Sequence, residues 1–133
     1  SSAASDVYKR QLQVLSSRSD ISLEELDTDT EKRWLVERGL QLCAQNALDI
    51  ATHIAAGRGR DVPDYASAID ELGRLGVLTH GFARQFRNVA GFRNVLVHGY
   101  LDVDLGVLHA LLHDGLRDFE SFAAHIEAYL DSL

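Results

Sequence analysis

Proline occurs once, at Pro63, and cysteine once, at Cys43, in 133 residues. So little proline, with long stretches free of turn residues, favours an all-helical chain. A lone cysteine excludes an internal disulfide and a cysteine-based zinc site, which makes a reducing cytoplasm the expected location. No apolar run approaches the roughly 20 residues that a membrane-spanning helix needs, and no signal peptide is visible. The net charge of −7 argues against indiscriminate binding to nucleic acid or anionic membrane, so any polyanion has to meet a local patch. One further absence is local. Between Glu71 and Asp102 there is no acidic residue, whereas Arg74, His80, Arg84, Arg87, Arg93 and His98 all fall there. That interval holds four of the thirteen basic residues and none of the twenty acids, +4 against −11 for the rest.

The length fits one domain with a core of its own. Ser1 to about Gln11 lacks an initiator methionine and shares no periodicity with the rest of the chain, so it reads as a non-native or disordered leader to a single domain over 12–133. Leu12 to Leu26 reads as a short or interrupted helix with a break near Ser16–Asp20, and Ser22 and Glu25 have capping-box spacing. Thr28 and Glu31 repeat that spacing before a stronger segment, Thr30 to Ala56. There Leu35, Leu42, Cys43, Ala47, Ile50 and Ile54 recur at helical intervals and Gly57 can close the helix. Pro63 suits the first turn of a shorter helix to about Leu75, ended by Gly76. Thr79 can cap a helix to about His98, with Phe82, Phe86, Val89 and Leu96 on one stripe and Gly99 at its end. Asp104 can cap a last helix to about Leu130, with Leu105, Leu108, Leu112, Leu116, Phe119, Ala123, Ile126 and Leu130 as its stripe. Short connections favour antiparallel neighbours, hence an up-down bundle of four to five helices.

Arg93-Asn94-Val95-Leu96-Val97-His98-Gly99-Tyr100 places a permanent cation, a carboxamide, an imidazole and a phenol along about two helical turns. Those groups can grip a phosphodiester and move its proton without a metal. Arginine offers a planar fork matched to phosphate oxygens, and histidine titrates near neutrality as base or acid. On a continuous helix Arg84, Arg87, Gly91, Asn94 and His98 share one polar, positive face, with Arg84 and Arg87 available to RNA or simply solvated. Gly91 costs roughly 1 kcal/mol of helix stability against alanine and lets something approach the backbone. Arg93 lies instead in the apolar stripe and needs a partner or a wet cleft. Asn46, Asp49 and His53 border the stripe of the long helix, so a buried Arg93–Asp49 ion pair is the structural alternative. Arg93 and His98 stand about 140° apart on a straight helix. They meet at one phosphate only if the helix distorts near Gly99 or a second subunit completes the cleft.

This stretch resembles the R-x4-H signature of HEPN domains, and with Tyr100 the R-x4-H-x-Y form of HepT-like toxins. The resemblance extends to Glu37-Arg38-Gly39-Leu40-Gln41-Leu42, Ala47-Leu48-Asp49-Ile50-Ala51 and His53-Ile54, to Tyr65-Ala66 through Gly76-Val77-Leu78, and to Gly91-Phe92 ahead of the motif. It covers about Leu23 to Leu130. It implies a dimeric, all-α HEPN-like bundle acting as a metal-independent endoribonuclease toxin, with no cofactor and no metal ligand set. The partner it implies is a MntA-type minimal nucleotidyltransferase, the antitoxin, which transfers AMP to Tyr100. By position Arg93 would bind and stabilise the scissile phosphate, His98 would act as general base on a ribose 2′-hydroxyl or as acid to the leaving oxygen, and Asn94 would orient phosphate or His98. The substrate implied is RNA, because DNA lacks the 2′-hydroxyl.

His109 and His113 are four apart but lack a third ligand, and read with Arg117 and Glu120 as a solvated face. Cys43 reads as core, and Trp34 and Tyr65 as packing residues. Two functions from different classes fit these observations. One is the ribonuclease toxin. The other is a non-catalytic HEPN module that binds nucleotide or RNA and docks a nucleotidyltransferase.

Overall fold

The computed structural model describes residues 3–98 and 104–133, and the side chains of residues 95–98 lie outside that description. Among the described residues there is no strand. The helices are α1 (Ala3–Ser16), α2 (Leu23–Thr28), α3 (Thr30–Gly57), α4 (Tyr65–Arg74), α5 (His80–Phe86), α6 (Val89–His98), α7 (Leu105–Ala110) and α8 (Leu116–Asp131). A wide π turn over Leu111–Gly115 joins α7 to α8, so the last two helices form one rod. The long α3 is the axis, packed against α1, α4, α6 and α8. Contacts across α1 run in opposite directions along the chain. Asn46 Nδ2 donates to Gln11 Oε1 at 2.6 Å while Leu15 lies against Gly39; Lys9 pairs with Glu127 while Ser16 Oγ donates to Glu120 at 3.2 Å. Both α3 and α8 are thus antiparallel to α1, the up-down arrangement expected.

Helix starts obey local chemistry. Ser22 and Glu25 form the reciprocal capping box, Thr79 caps α5, and the Asp104 carboxylate accepts from the amides of Gly106 and Val107. Two starts differ from expectation. Asp29 caps α3 through the Lys32 amide, while the Thr28 hydroxyl turns back to Glu24 O; the carboxylate is the better acceptor for amides at a positive helix end. Pro63 sits ahead of the cap Asp64 rather than in the first turn of α4. The 3–16 segment is not apart from the domain: Tyr8 is 1% exposed, and its hydroxyl donates to Phe119 O at 2.8 Å. Tyr8 meets the rings of Phe119 and Phe122 edge-on, and Phe122 stacks on Phe86 at 4.9 Å. Truncating such a buried ring costs about 3–5 kcal/mol, so α1 is part of the core.

The buried face of α3 is Val36, Leu40, Cys43, Ala44, Ala47, Leu48, Ile50, Ala51 and Ala55. Leu35, placed by periodicity on that stripe, is exposed instead, and Trp34 is 66% exposed rather than packed. Helical spacing gives the width of an apolar stripe but not which neighbour covers it. Cys43 is in the core, where burial pushes its thiol up to about 12. The helix expected from Thr79 to His98 is broken by a turn at 87–88, which ends the register that would align Arg84 and Arg87 with Asn94.

This packing makes two testable predictions. A Cβ on Gly73 would lie 2.9 Å from the Ala83 Cβ, and neither atom moves without its backbone. Gly73→Ala is expected to lower stability by about 1–3 kcal/mol despite its better helix propensity, and Ala83→Gly in that background to recover part of the loss, as thermal melts will show. The second concerns Asp64, whose carboxyl is held below its ordinary value by the backbone amide of Ser67. A lowered folded pKa stabilises above the unfolded value and fades as pH falls through the folded one. The melting difference between wild type and Asp64→Asn should be constant above about pH 4 and vanish under stronger acid.

Candidate active site around Arg93

α6 starts behind the 87–88 turn with Val89 buried, and one turn later Arg93 emerges half-buried between α3 and α4. Its Nε donates to Gln45 Oε1 at 2.8 Å and its Nη1 to Asn94 Oδ1 at 3.2 Å. The guanidinium carbon lies 5.6 Å from the centroid of the Tyr65 ring, within cation–π range. Gln45 is itself held. Its Nε2 donates to Asp49 Oδ1 at 2.9 Å, one helical turn on, and to the Tyr65 hydroxyl at 3.1 Å. That hydroxyl also donates to Asp49 Oδ1 at 3.4 Å.

The buried Arg93–Asp49 ion pair is therefore not what forms: a carboxamide stands between the two charges. Asn46 is turned to Gln11 and is no partner of Arg93. Sequence reasoning misses Gln45 and assigns Tyr65 to packing alone. The available signal is the i, i+4 spacing of Gln45 and Asp49, a pair that bonds along a helix. That spacing does not contain the approach of α6.

The other residues expected at the site separate. Asn94 is exposed beside Arg93. Arg87 turns away to Asp70, with Nε at 3.1 Å and Nη2 at 3.4 Å from the carboxylate. Arg84 is exposed and pairs with no carboxylate among the described residues. His98 ends α6, but its side chain and the whole of Tyr100 lie outside the described residues, as do Gly99 and the rest of the connection to residue 103. Around Gly91 an added Cβ would meet nothing within 4 Å, and Phe92 beside it is 39% exposed.

The acid-free interval is not acid-free in space. Glu71 takes Arg74 at 2.8 Å, Asp70 takes Arg87, and Gln85 donates to Asp118 at 2.8 Å. Among the described residues Arg93 differs from these arginines in having neutral acceptors only. The hydrogens it leaves without a partner among the described residues, one on Nη1 and both on Nη2, are donors available to phosphate oxygens.

No group of three His, Cys, Asp or Glu side chains among the described residues converges as metal ligands do. The rings of His109 and His113 lie with centroids 4.1 Å apart, tilted by 47°, and His113 Nε2 bonds Ile21 O at 3.0 Å, which gives it a structural partner. No helix among the described residues is long and apolar enough to cross a membrane.

Comparison with known proteins gives concordant results. The family model described as "Ribonuclease HepT-like" matches residues 8–126. A tRNA nuclease HepT of Aphanizomenon flos-aquae is 32% identical over 96% of this chain and 88% of its own. An mRNA nuclease HepT of Shewanella oneidensis is 28% identical over 67% of this chain and 68% of its own. In fold, the chain is similar to a tri-AMPylated Shewanella oneidensis HEPN toxin solved in complex with an MNT antitoxin. That match has a TM-score of 0.80 and 20% identity, and covers 96% of this chain and 99% of the other.

Proposed function

The chain belongs to the HepT-like ribonuclease family, and from that membership we propose that it is an endoribonuclease toxin that cleaves RNA without a metal and is silenced by AMP transfer to Tyr100. The observation that carries the reading is the Arg93 guanidinium, fixed by Gln45 at Nε and by Asn94 at Nη1 and set over the Tyr65 ring, with no partner on Nη2 among the described residues. An arginine so held is shaped to receive a phosphodiester. Each role rests on the chemistry of the motif. Arg93 grips the scissile phosphate and offsets charge gathering on its oxygens. His98 takes the proton of the ribose 2′-hydroxyl, or supplies one to the departing 5′-oxygen. The 2′-oxygen bonds to phosphorus as the P–O5′ bond breaks, leaving a 2′,3′-cyclic phosphate and a 5′-hydroxyl. Asn94, bonded to Arg93 through its oxygen, keeps its amide nitrogen for phosphate or for His98. Arg84 and Arg87 extend the grip on the RNA backbone, Arg84 more readily because Arg87 must first leave Asp70.

A second copy of the chain completes the cleft in this reading. Five residues along one helix set Arg93 and His98 about 140° apart, which motivates a second subunit at the cleft. The open surface at Gly91 and the exposed Phe92 leave room for a neighbour on α6. The partner proposed is a MntA-type nucleotidyltransferase. An AMP group on Tyr100, two residues from His98, adds bulk and negative charge where RNA must enter. The two curated relatives carry the names of nucleases for different RNAs, so the assay should offer both.

Purified, unmodified protein is expected to cut total cellular RNA in EDTA and leave cyclic phosphate ends, with His98→Ala reduced by at least about a hundredfold, the low end for a lost general acid–base. No cleavage by wild type, shown unmodified by mass spectrometry, would favour the docking-module reading. In cells, Tyr100→Phe should remain toxic when the nucleotidyltransferase is co-expressed. Continued neutralisation of that variant would mean that complex formation suffices.

A further inference from the structure

Gln45 lies outside the R-x4-H-x-Y motif, yet it is the residue on which the orientation of Arg93 turns. Its amide nitrogen carries two hydrogens, and two acceptors face it: Asp49 Oδ1 at 2.9 Å and the Tyr65 oxygen at 3.1 Å. Its oxygen receives the Arg93 Nε–H at 2.8 Å. Turning the carboxamide over would set NH2 against the guanidinium and an oxygen against the Asp49 carboxylate, with loss of both those bonds, whereas the Tyr65 hydroxyl can accept or donate and so meets either end. Asp49, an acceptor only, therefore fixes which end of Gln45 meets Arg93, and the Tyr65 hydroxyl adds a bond to that end.

The carboxamide also does something a carboxylate could not. Arg33, Arg74 and Arg87 each engage an acid, Glu37, Glu71 and Asp70 respectively. Arg93 is directed by a neutral group, while the nearby acid, Asp49, bonds to that group instead. The charge of Arg93 is left for a ligand. A glutamate at position 45 would hold the same Nε–H but neutralise the fork. From this the geometry points to Gln45 as a positioning residue that orients Arg93 while insulating it from Asp49, with Asp49 setting the carboxamide's direction and Tyr65 supporting it. The ligand so served is an RNA phosphate, and in that respect the inference rests on the ribonuclease reading above.

Two substitutions separate charge from orientation, and the probe is a fluorescent, mixed-sequence 2′-O-methyl RNA that cannot be cleaved. Gln45→Glu, nearly isosteric, is expected to raise its Kd about tenfold, as for a lost bond to a charged group. It should also flatten the dependence of log Kd on log salt by about 0.7, the contribution of one single-strand phosphate. Gln45→Leu keeps the charge. Its salt slope should match wild type, while kcat on the cleavable RNA of the same sequence falls about tenfold. A role limited to stability would move neither the slope nor the split between Kd and kcat. Wild-type affinity and slope in Gln45→Glu, or unchanged kcat in Gln45→Leu, would overturn the inference.

If wild type itself neither binds nor cuts RNA, the ribonuclease reading fails and the positioning role is read without RNA. Inorganic phosphate is then titrated into 15N-labelled protein and followed at the Arg93 Nε–Hε resonance. A shift in wild type that Gln45→Glu lacks supports the insulated guanidinium. Equal shifts in both, or none in wild type, reject it.

Discussion

A guanidinium drawn out of water has to be met by acceptors at every hydrogen it cannot leave solvated, and the meeting of α3, α4 and α6 is organised by that demand at Arg93. Three helices answer it. α3 supplies Gln45 and Asp49, α4 supplies the Tyr65 ring and hydroxyl, and α6 carries the arginine with Asn94 beside it. The core makes this convergence possible. Small residues along α3, Ala44, Ala47 and Ala51, are all fully buried, and they allow neighbouring helices to approach the axis closely. The aromatic cluster of Tyr8, Phe86, Phe119 and Phe122 binds α1, α5 and α8 into one body. The polar site is thus an edge feature of an apolar core, half-buried and reachable.

The charge pattern shows how folding edits a sequence. Along the chain the stretch from Leu72 to Leu101 is purely basic at its charged positions. In space Glu71, Asp70 and Asp118 come to it from α4 and α8, and two of its four arginines are partly neutralised. Arg84 and Arg93 escape, for different reasons. Arg84 points to solvent, and Arg93 is served by a carboxamide. Surface ion pairs of the first kind contribute little to stability, but they decide which cations remain for an anionic ligand. For the proposed RNA substrate that selectivity matters, because the general surface of a protein of net charge −7 repels a polyanion.

How much is legible in the sequence differs by kind of feature. Helical periodicity gives the α3 span to within a residue of each end, and capping chemistry gives the starts at Ser22, Thr79 and Asp104. The break at 87–88 is hidden because Arg87 and Asn88 carry no strong turn signal and the apolar stripe runs on across them. Ser1 to about Gln11 reads as foreign to the domain because it shares no periodicity with the rest, and the burial of Tyr8 depends on Phe119 and Phe122, more than a hundred residues away along the chain. Residue type assigns Trp34 to packing, yet it faces solvent. In the site, a charge in an apolar stripe picks out Arg93. The search for its partner falls on polar and charged residues that break the α3 stripe, and the neutral Gln45 does not stand out among them.

The sequence by itself determined the all-α class, the family, and the residue types gathered in the motif. These are local properties: propensity, spacing and a recognisable string are carried by neighbours along the chain. Tertiary structure alone decided that α1 joins the core, that Asp70 and Glu71 claim arginines of the basic stretch, and that Gln45 rather than Asp49 meets Arg93. Those outcomes depend on which helix faces which, and on hydrogen-bond geometries fixed to a few tenths of an ångström. No pattern along one helix contains the position of another.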